Sequence, residues 1–120
     1  MHELSIARHL FDLISQYRSR GQSLRVRKIT LRIGDVAGVV PESLESCFKM
    51  VAMNTWLENA GTEVIRIPFT VHCHACGRTT SRDLMIAFCP SCGSLDVAVI
   101  SGSELEVASI EIDEEQEVAL

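Results

Sequence analysis

Two short repeats constrain this chain more than anything else in it: CHACG at residues 73–77 and CPSCG at residues 89–93, with twelve residues between Cys76 and Cys89. A CxxC turn places two sulfurs on one small loop, and two such turns complete the tetrahedron that Zn²⁺ prefers, at about 2.3 Å per Zn–S bond. Gly77 and Gly93 follow the second cysteine of each pair, where a tight turn benefits from glycine's backbone freedom. The spacer RTTSRDLMIAF suits a compact hairpin. Four thiolates close the coordination shell, so the pattern predicts a structural Zn(II) site of Cys73, Cys76, Cys89 and Cys92. Such a site folds a segment too small to build its own core. A disulfide pair or a thioredoxin-like redox site is the competing reading. It weakens in a chain with no sign of export. The first residues are amphipathic and acid-bearing, unlike a signal or transit peptide. No run approaches the roughly 18 apolar residues of a membrane span. A cytoplasmic location without membrane insertion is the expectation.

The rest of the chain reads as one small α+β unit. Ile6, Ala7, Leu10, Leu13, Ile14 and Tyr17 recur at helical spacing and predict a helix from Leu4 that ends near Ser19. Residues 24–33 (LRVRKITLRI) read as a strand, with Leu24 and Val26 out of phase with Ile29, Leu31 and Ile33. A second helix opens at Pro41, with Leu44, Cys47, Phe48 and Val51 on one face, Trp56 and Leu57 further on, and Gly61 as a stop. Residues 63–71 (EVIRIPFTV) and 104–112 (ELEVASIEI) read as strands, the former an edge strand because of Pro68. The predicted fold is α+β: two helices packed on a three-stranded sheet, with an inserted small zinc-ribbon-like domain. Residues 1–71 plus 101–120 form the first domain and 72–100 the zinc-binding one. On this reading Cys47 is core packing, His9 is a surface residue, and His72 and His74 are exposed loop groups.

The N-terminus begins MHE. The α-amino group of Met1, the amide nitrogen of His2 and the His2 Nδ1 lie along one covalent path. Binding all three closes a five-membered and then a six-membered ring, both nearly planar. Planar nitrogen donation suits Ni²⁺ and Cu²⁺. Glu3 can supply a fourth donor through its amide or carboxylate.

The stretches MHELSIA, IGDVAGVVPESLESCF, CHACG and CPSCG, in that order, resemble the hydrogenase maturation nickel chaperones of the HypA/HybF family. The resemblance spans nearly the whole chain. It implies a nickel-binding α+β domain and a zinc-binding domain. It also implies delivery of Ni(II) to the precursor of the [NiFe]-hydrogenase large subunit, in company with the GTPase HypB; some relatives also serve urease. His2 falls on the family's nickel histidine, with Met1 and Glu3 beside it, and Cys73, Cys76, Cys89 and Cys92 fall on its zinc cysteines. The chain is then a metallochaperone and not an enzyme, with Ni(II) as cargo, Zn(II) as structural ion, and a homodimer left open.

The alternative is a zinc-ribbon nucleic-acid-binding or regulatory module. Arg25, Arg27, Lys28 and Arg32 support it. Against it stand the net charge of −5, the few aromatics, and only Arg78 and Arg82 as bases within the ribbon. The charge is also uneven: residues 1–40 carry seven Arg or Lys against three acids, and residues 104–117 carry seven acids and no base. A redox or hydrolytic zinc enzyme would need an open coordination position, which four thiolates do not leave.

Overall fold

The computed structural model describes residues 3–18, 25–82 and 88–113. The chain makes two compact units, one from Met1–Leu31, Val39–Val64 and Val107–Leu120, the other from Arg32–Gly38 and Ile65–Glu106.

Helix α1 (Glu3–Ser15) buries Ile6, Ala7, Leu10 and Ile14 along one stripe, with Glu3 in the first turn, where an acid meets the helix dipole favourably. It ends four residues before the predicted Ser19, which lies outside the described residues. The tightening is visible in the hydrogen bonds: the amides of Gln16, Tyr17 and Arg18 reach back three residues, to the carbonyls of Leu13, Ile14 and Ser15, the 3₁₀ pattern of a closing turn.

Helix α2 (Pro41–Ala52) starts at the predicted proline, buries Leu44, Phe48 and Ala52, and packs on α1. It stops well short of Gly61. Met53 leaves the helix at ψ 133°, and Asn54 adopts φ 61°, a left-handed conformation that asparagine tolerates better than most residues. Trp56 and Leu57 therefore sit on turns. Leu57 is buried. Trp56 Nε1 donates to Ser15 Oγ at 3.4 Å, and the Arg18 guanidinium lies 5.0 Å from the indole centroid, so the loop is tied to the end of α1.

The first sheet has the order β2 (Gly61–Ile67), β1 (Val26–Gly34), β6 (Leu105–Ile112). In β1, Val26, Ile29, Leu31 and Ile33 are buried, and Thr30 is buried as well. The burial phase shifts between Val26 and Ile29, as the sequence suggests. The bases of β1, and Arg25 just before it, do not stand free. Arg25 faces Asp113 at 3.9 Å, Arg27 faces Glu111 at 3.9 Å, and Lys28 pairs with Glu63 and lies 3.9 Å from Glu111. Further along, Arg32 Nε lies 2.9 Å from Glu106 Oε1, out of line for a hydrogen bond but close enough for charge pairing. The hydrogen bond to Glu63 is the main reason that the Lys28 ammonium is held above its ordinary pKa. Each exposed pair contributes little stability. Together they neutralise the basic strand that a nucleic acid would need, and the nucleic-acid reading loses its main support.

The second sheet goes beyond what the sequence pattern predicts. Its order is β4 (Thr79–Arg82), β3 (Phe69–Cys73), β5 (Val97–Ser101), with both neighbours antiparallel to β3. Phe69, Val71 and Cys73 are buried and alternate with half-exposed Thr70 and His72. The single strand predicted over residues 63–71 is thus two strands in two sheets, broken at Pro68, which has no amide to donate to a ladder.

Within the second unit the backbone makes one very close approach. Gly34 N donates to Glu104 O and Val36 N to Gly102 O, both at 2.8 Å. Gly102 has φ +124°, and a side chain on either glycine would run into backbone. Beside this crossing, Gly102 N donates to Glu104 Oε1 at 2.7 Å. That bond first, then the amide of Glu104 itself, holds the Glu104 carboxyl below its ordinary pKa. A carboxyl whose pKa is lowered by folding stabilises the fold above the unfolded value, about 4.3 for glutamate, and the stabilisation is lost as pH falls through the folded value. Glu104→Gln is therefore expected to flatten the acid limb of stability below roughly pH 5. Thermal unfolding from neutral to acid pH checks this, and an unchanged acid limb in the variant would count against it.

Candidate metal centre

The two cysteine loops are built alike. In the first, Cys73 N donates to Arg78 O at 2.9 Å and Gly77 N to Cys73 O at 2.9 Å. In the second, Cys89 N donates to Ser94 O at 2.9 Å and Gly93 N to Cys89 O at 2.8 Å. Gly77 and Gly93 have φ +78° and +77°. There is open space where a side chain would go at either position, so glycine is required there by backbone conformation and not by crowding.

This geometry brings four sulfurs together. The Sγ atoms of Cys73, Cys76, Cys89 and Cys92 all lie within 4.8 Å of one another. The closest approaches run between the loops, Cys73 to Cys92 and Cys76 to Cys89, each at 3.6 Å. No pair is bonded as a disulfide, which would need about 2.05 Å. A tetrahedron with 2.3 Å metal–sulfur bonds has edges of about 3.8 Å, so the two closest spacings fit Zn²⁺ and the wider ones need a contraction of at most about 1 Å. Cys73 and Cys89 are buried, whereas Cys76 and Cys92 face solvent.

The electrostatics point the same way. The amide of Cys92, with that of Ser91, brings the Cys89 thiol down to about 6. Cys92 is pushed up to about 11: the Ser94 amide favours its thiolate, but Cys73, desolvation and the sulfurs of Cys89 and Cys76 together outweigh that amide. Four crowded sulfurs cannot all ionise without a cation among them. The arrangement can hold a four-coordinate thiophilic ion with no open position.

The other predicted residues fall as follows. Met1 and His2 lie outside the described residues, while Glu3 opens α1 and is half-buried. His9 is exposed on α1 and Cys47 is half-buried on α2. His72 belongs to β3 and is half-buried rather than on an exposed loop, with Nδ1 2.8 Å from Thr79 Oγ1. His74 is exposed, with Nδ1 3.1 Å from Asp96 Oδ1. The Asp96 partner had no sequence signal, being 22 residues away. No helix among the described residues is long and apolar enough to cross a membrane.

Two helices, a three-stranded sheet and a second sheet carrying a four-sulfur cluster define an α+β protein with a zinc-ribbon-like insert. Two solved structures share this fold: the solution structure of the Ni metallochaperone HypA from Helicobacter pylori (TM-score 0.65, 19% identity, 93% of this chain and 97% of that one) and another solution structure of a HypA protein (TM-score 0.67, 20% identity, 93% and 96%). The family model described as "Hydrogenase/urease nickel incorporation, metallochaperone, hypA" matches residues 1–112. Hydrogenase maturation factor HypA of Dehalococcoides mccartyi (strain CBDB1) is 36% identical over 117 residues, 98% of each chain. The protein of the same name from Chlorobium limicola is 40% identical over 115 residues, 95% of this chain and 98% of the relative. This chain belongs to the HypA family of nickel-incorporation metallochaperones.

Proposed function

We propose that this chain binds Ni(II) at Met1, His2 and Glu3 and delivers it for maturation of [NiFe]-hydrogenase, with Zn(II) held structurally by Cys73, Cys76, Cys89 and Cys92. The observation that carries the reading is the match to a nickel-incorporation family beginning at residue 1. The donor chemistry supports it. The α-amino nitrogen, the His2 amide and the His2 Nδ1 offer planar nitrogen ligation, which a d⁸ Ni²⁺ accepts. A site with few protein ligands can release its ion to a more enclosed acceptor, as delivery requires. Copper would bind such a donor set more tightly, so selectivity falls to supply and to partner docking.

On this reading residues 1–71 plus 101–120 serve as the nickel-binding domain and residues 72–100 as the zinc-binding domain. The chain works in the cytoplasm without catalytic turnover, with the GTPase HypB and the precursor of the hydrogenase large subunit as its partners. A homodimer is compatible with this role. The test is a nickel titration of the zinc-loaded parent and of His2→Ala. The parent is expected to take up about one Ni²⁺ per chain with the absorption of a planar, nitrogen-rich complex. His2→Ala should lose that uptake and keep its zinc and its fold. An unchanged titration in the variant would sink the site.

A further inference from the structure

His72 and His74 bracket Cys73 without sharing its side of the strand. Successive side chains of a strand point to opposite faces. Cys73 is buried and turns to the sulfur cluster, so the two histidines stand together on the other face of the second sheet. The ladder runs one residue past β3, where His74 N donates to Asp96 O at 2.9 Å. The rings meet there, with centroids 5.7 Å apart and planes at 71°. The His74 side chain is 54% exposed. Ala98, opposite His72 on β5, is too small to cover the neighbouring ring.

Each imidazole is held by one nitrogen only. His72 Nδ1 lies 2.8 Å from Thr79 Oγ1, and His74 Nδ1 lies 3.1 Å from Asp96 Oδ1. Neither Nε2 has a hydrogen-bond partner among the described residues. A histidine that ligates a metal is built this way, with one ring nitrogen tied to an oxygen that fixes the ring and the other left for the ion. Two imidazoles that share an ion through bonds of about 2.0–2.1 Å hold their centroids about 5–6 Å apart. The observed separation falls in that range, nearer to a tetrahedral angle at the metal than to the right angle of a square-planar pair. The rings would reach the cysteine ion only if the end of β3 turned over and gave up its pairing with β5.

We propose that His72 and His74 form a second divalent-metal site, suited to Zn(II), on the face of the sheet away from the cysteines. The two Nε2 atoms ligate the ion, for which imidazole is a matched donor. Thr79 Oγ1 and Asp96 Oδ1 accept the Nδ1 protons and so fix the tautomer that leaves Nε2 free. The Asp96 carboxylate also sets a negative charge beside the ion. Two protein ligands leave coordination positions for water or for a donor from a partner. The proposal does not rest on nickel binding at the N-terminus.

The probe is Zn²⁺, titrated into the nickel-free chain that already holds one zinc on its cysteines, so no foreign ion competes for the sulfurs. His2→Ala is the background, which removes the N-terminal imidazole from the count. One further Zn²⁺ per chain is expected, with the ring resonances of His72 and His74 shifted and the number of sulfurs around the first zinc unchanged. His74→Ala and His72→Ala should each weaken the second ion at least tenfold, and Asp96→Asn about tenfold. His9→Ala should change nothing. His74 and Asp96 are exposed, so their variants keep the fold even if His72→Ala does not, and the amide spectrum of β3, β4 and β5 checks this. Absence of a second ion overturns the proposal. So does uptake that survives His74→Ala and Asp96→Asn unchanged, or uptake in which an imidazole replaces a cysteine on the first zinc.

Discussion

Replacing Cys73 by serine is expected to empty the four-cysteine centre and melt the second sheet, while α1 and α2 stay folded. Cys73 is 1% exposed, closes β3, and stands opposite Val97 of β5. Its loss removes one corner of the sulfur tetrahedron and the end of the central strand together. Among the described residues, the large buried apolar side chains of the second unit are Ile33, Phe69 and Val71, and Cys73 and Cys89 are buried as well. Structural zinc contributes about 10–16 kcal/mol in small domains, more than the whole stability of most. A chelator that outcompetes the centre should give the same result reversibly. Metal analysis and amide NMR of β3, β4 and β5 check it. A second sheet that survives intact in the metal-free protein would show that the sulfurs are incidental to folding.

The second large effect is expected at Gly34. A Cβ there would lie 1.9 Å from the carbonyl oxygen of Gly102, 2.1 Å from its carbon and 2.6 Å from Ser103 N. All three are backbone atoms, so no rotamer change relieves the clash. The crossing also holds the 2.8 Å bonds from Gly34 to Glu104 and from Val36 to Gly102. Gly34→Ala should cost about 3 kcal/mol or more, at the upper end of single substitutions, and lower the melting temperature by roughly 10 °C. Gly38→Ala is the control. Gly38 has φ +78° and open space around it, so only the left-handed backbone penalty of about 1–2 kcal/mol applies. Equal effects at the two positions would mean that the crossing is looser than it looks.

The clustering of the four cysteines was legible in the sequence because its geometry is mostly covalent. Two residues between cysteines and a glycine after the second fix each loop locally, and the structure needs only to bring two copies of one shape together. The helices were legible for a similar reason, since Leu10 and Ile14, or Leu44 and Phe48, are neighbours through one turn of the same element. What escaped was set by distant contacts. The strand over residues 63–71 alternates without interruption, and only pairing partners reveal that Ile67 and Phe69 serve different sheets. The stretch VAVIS at 97–101, beyond the last cysteine, carries no pairing signal of its own, and only Val71 and Cys73 opposite Val99 and Val97 make it a strand. The basic strand looked like a docking face because its acidic partners, Glu106 and Glu111, lie more than 70 residues further along the chain.

The indole that braces the end of α1 is the only one in the chain. Its emission is therefore a gauge of one unit alone. The sulfur cluster can be followed separately, through the ultraviolet band that thiolates acquire when they ligate a metal. One cuvette can then tell whether stripping the cysteines disturbs the helical unit, because each half of the chain carries its own colour.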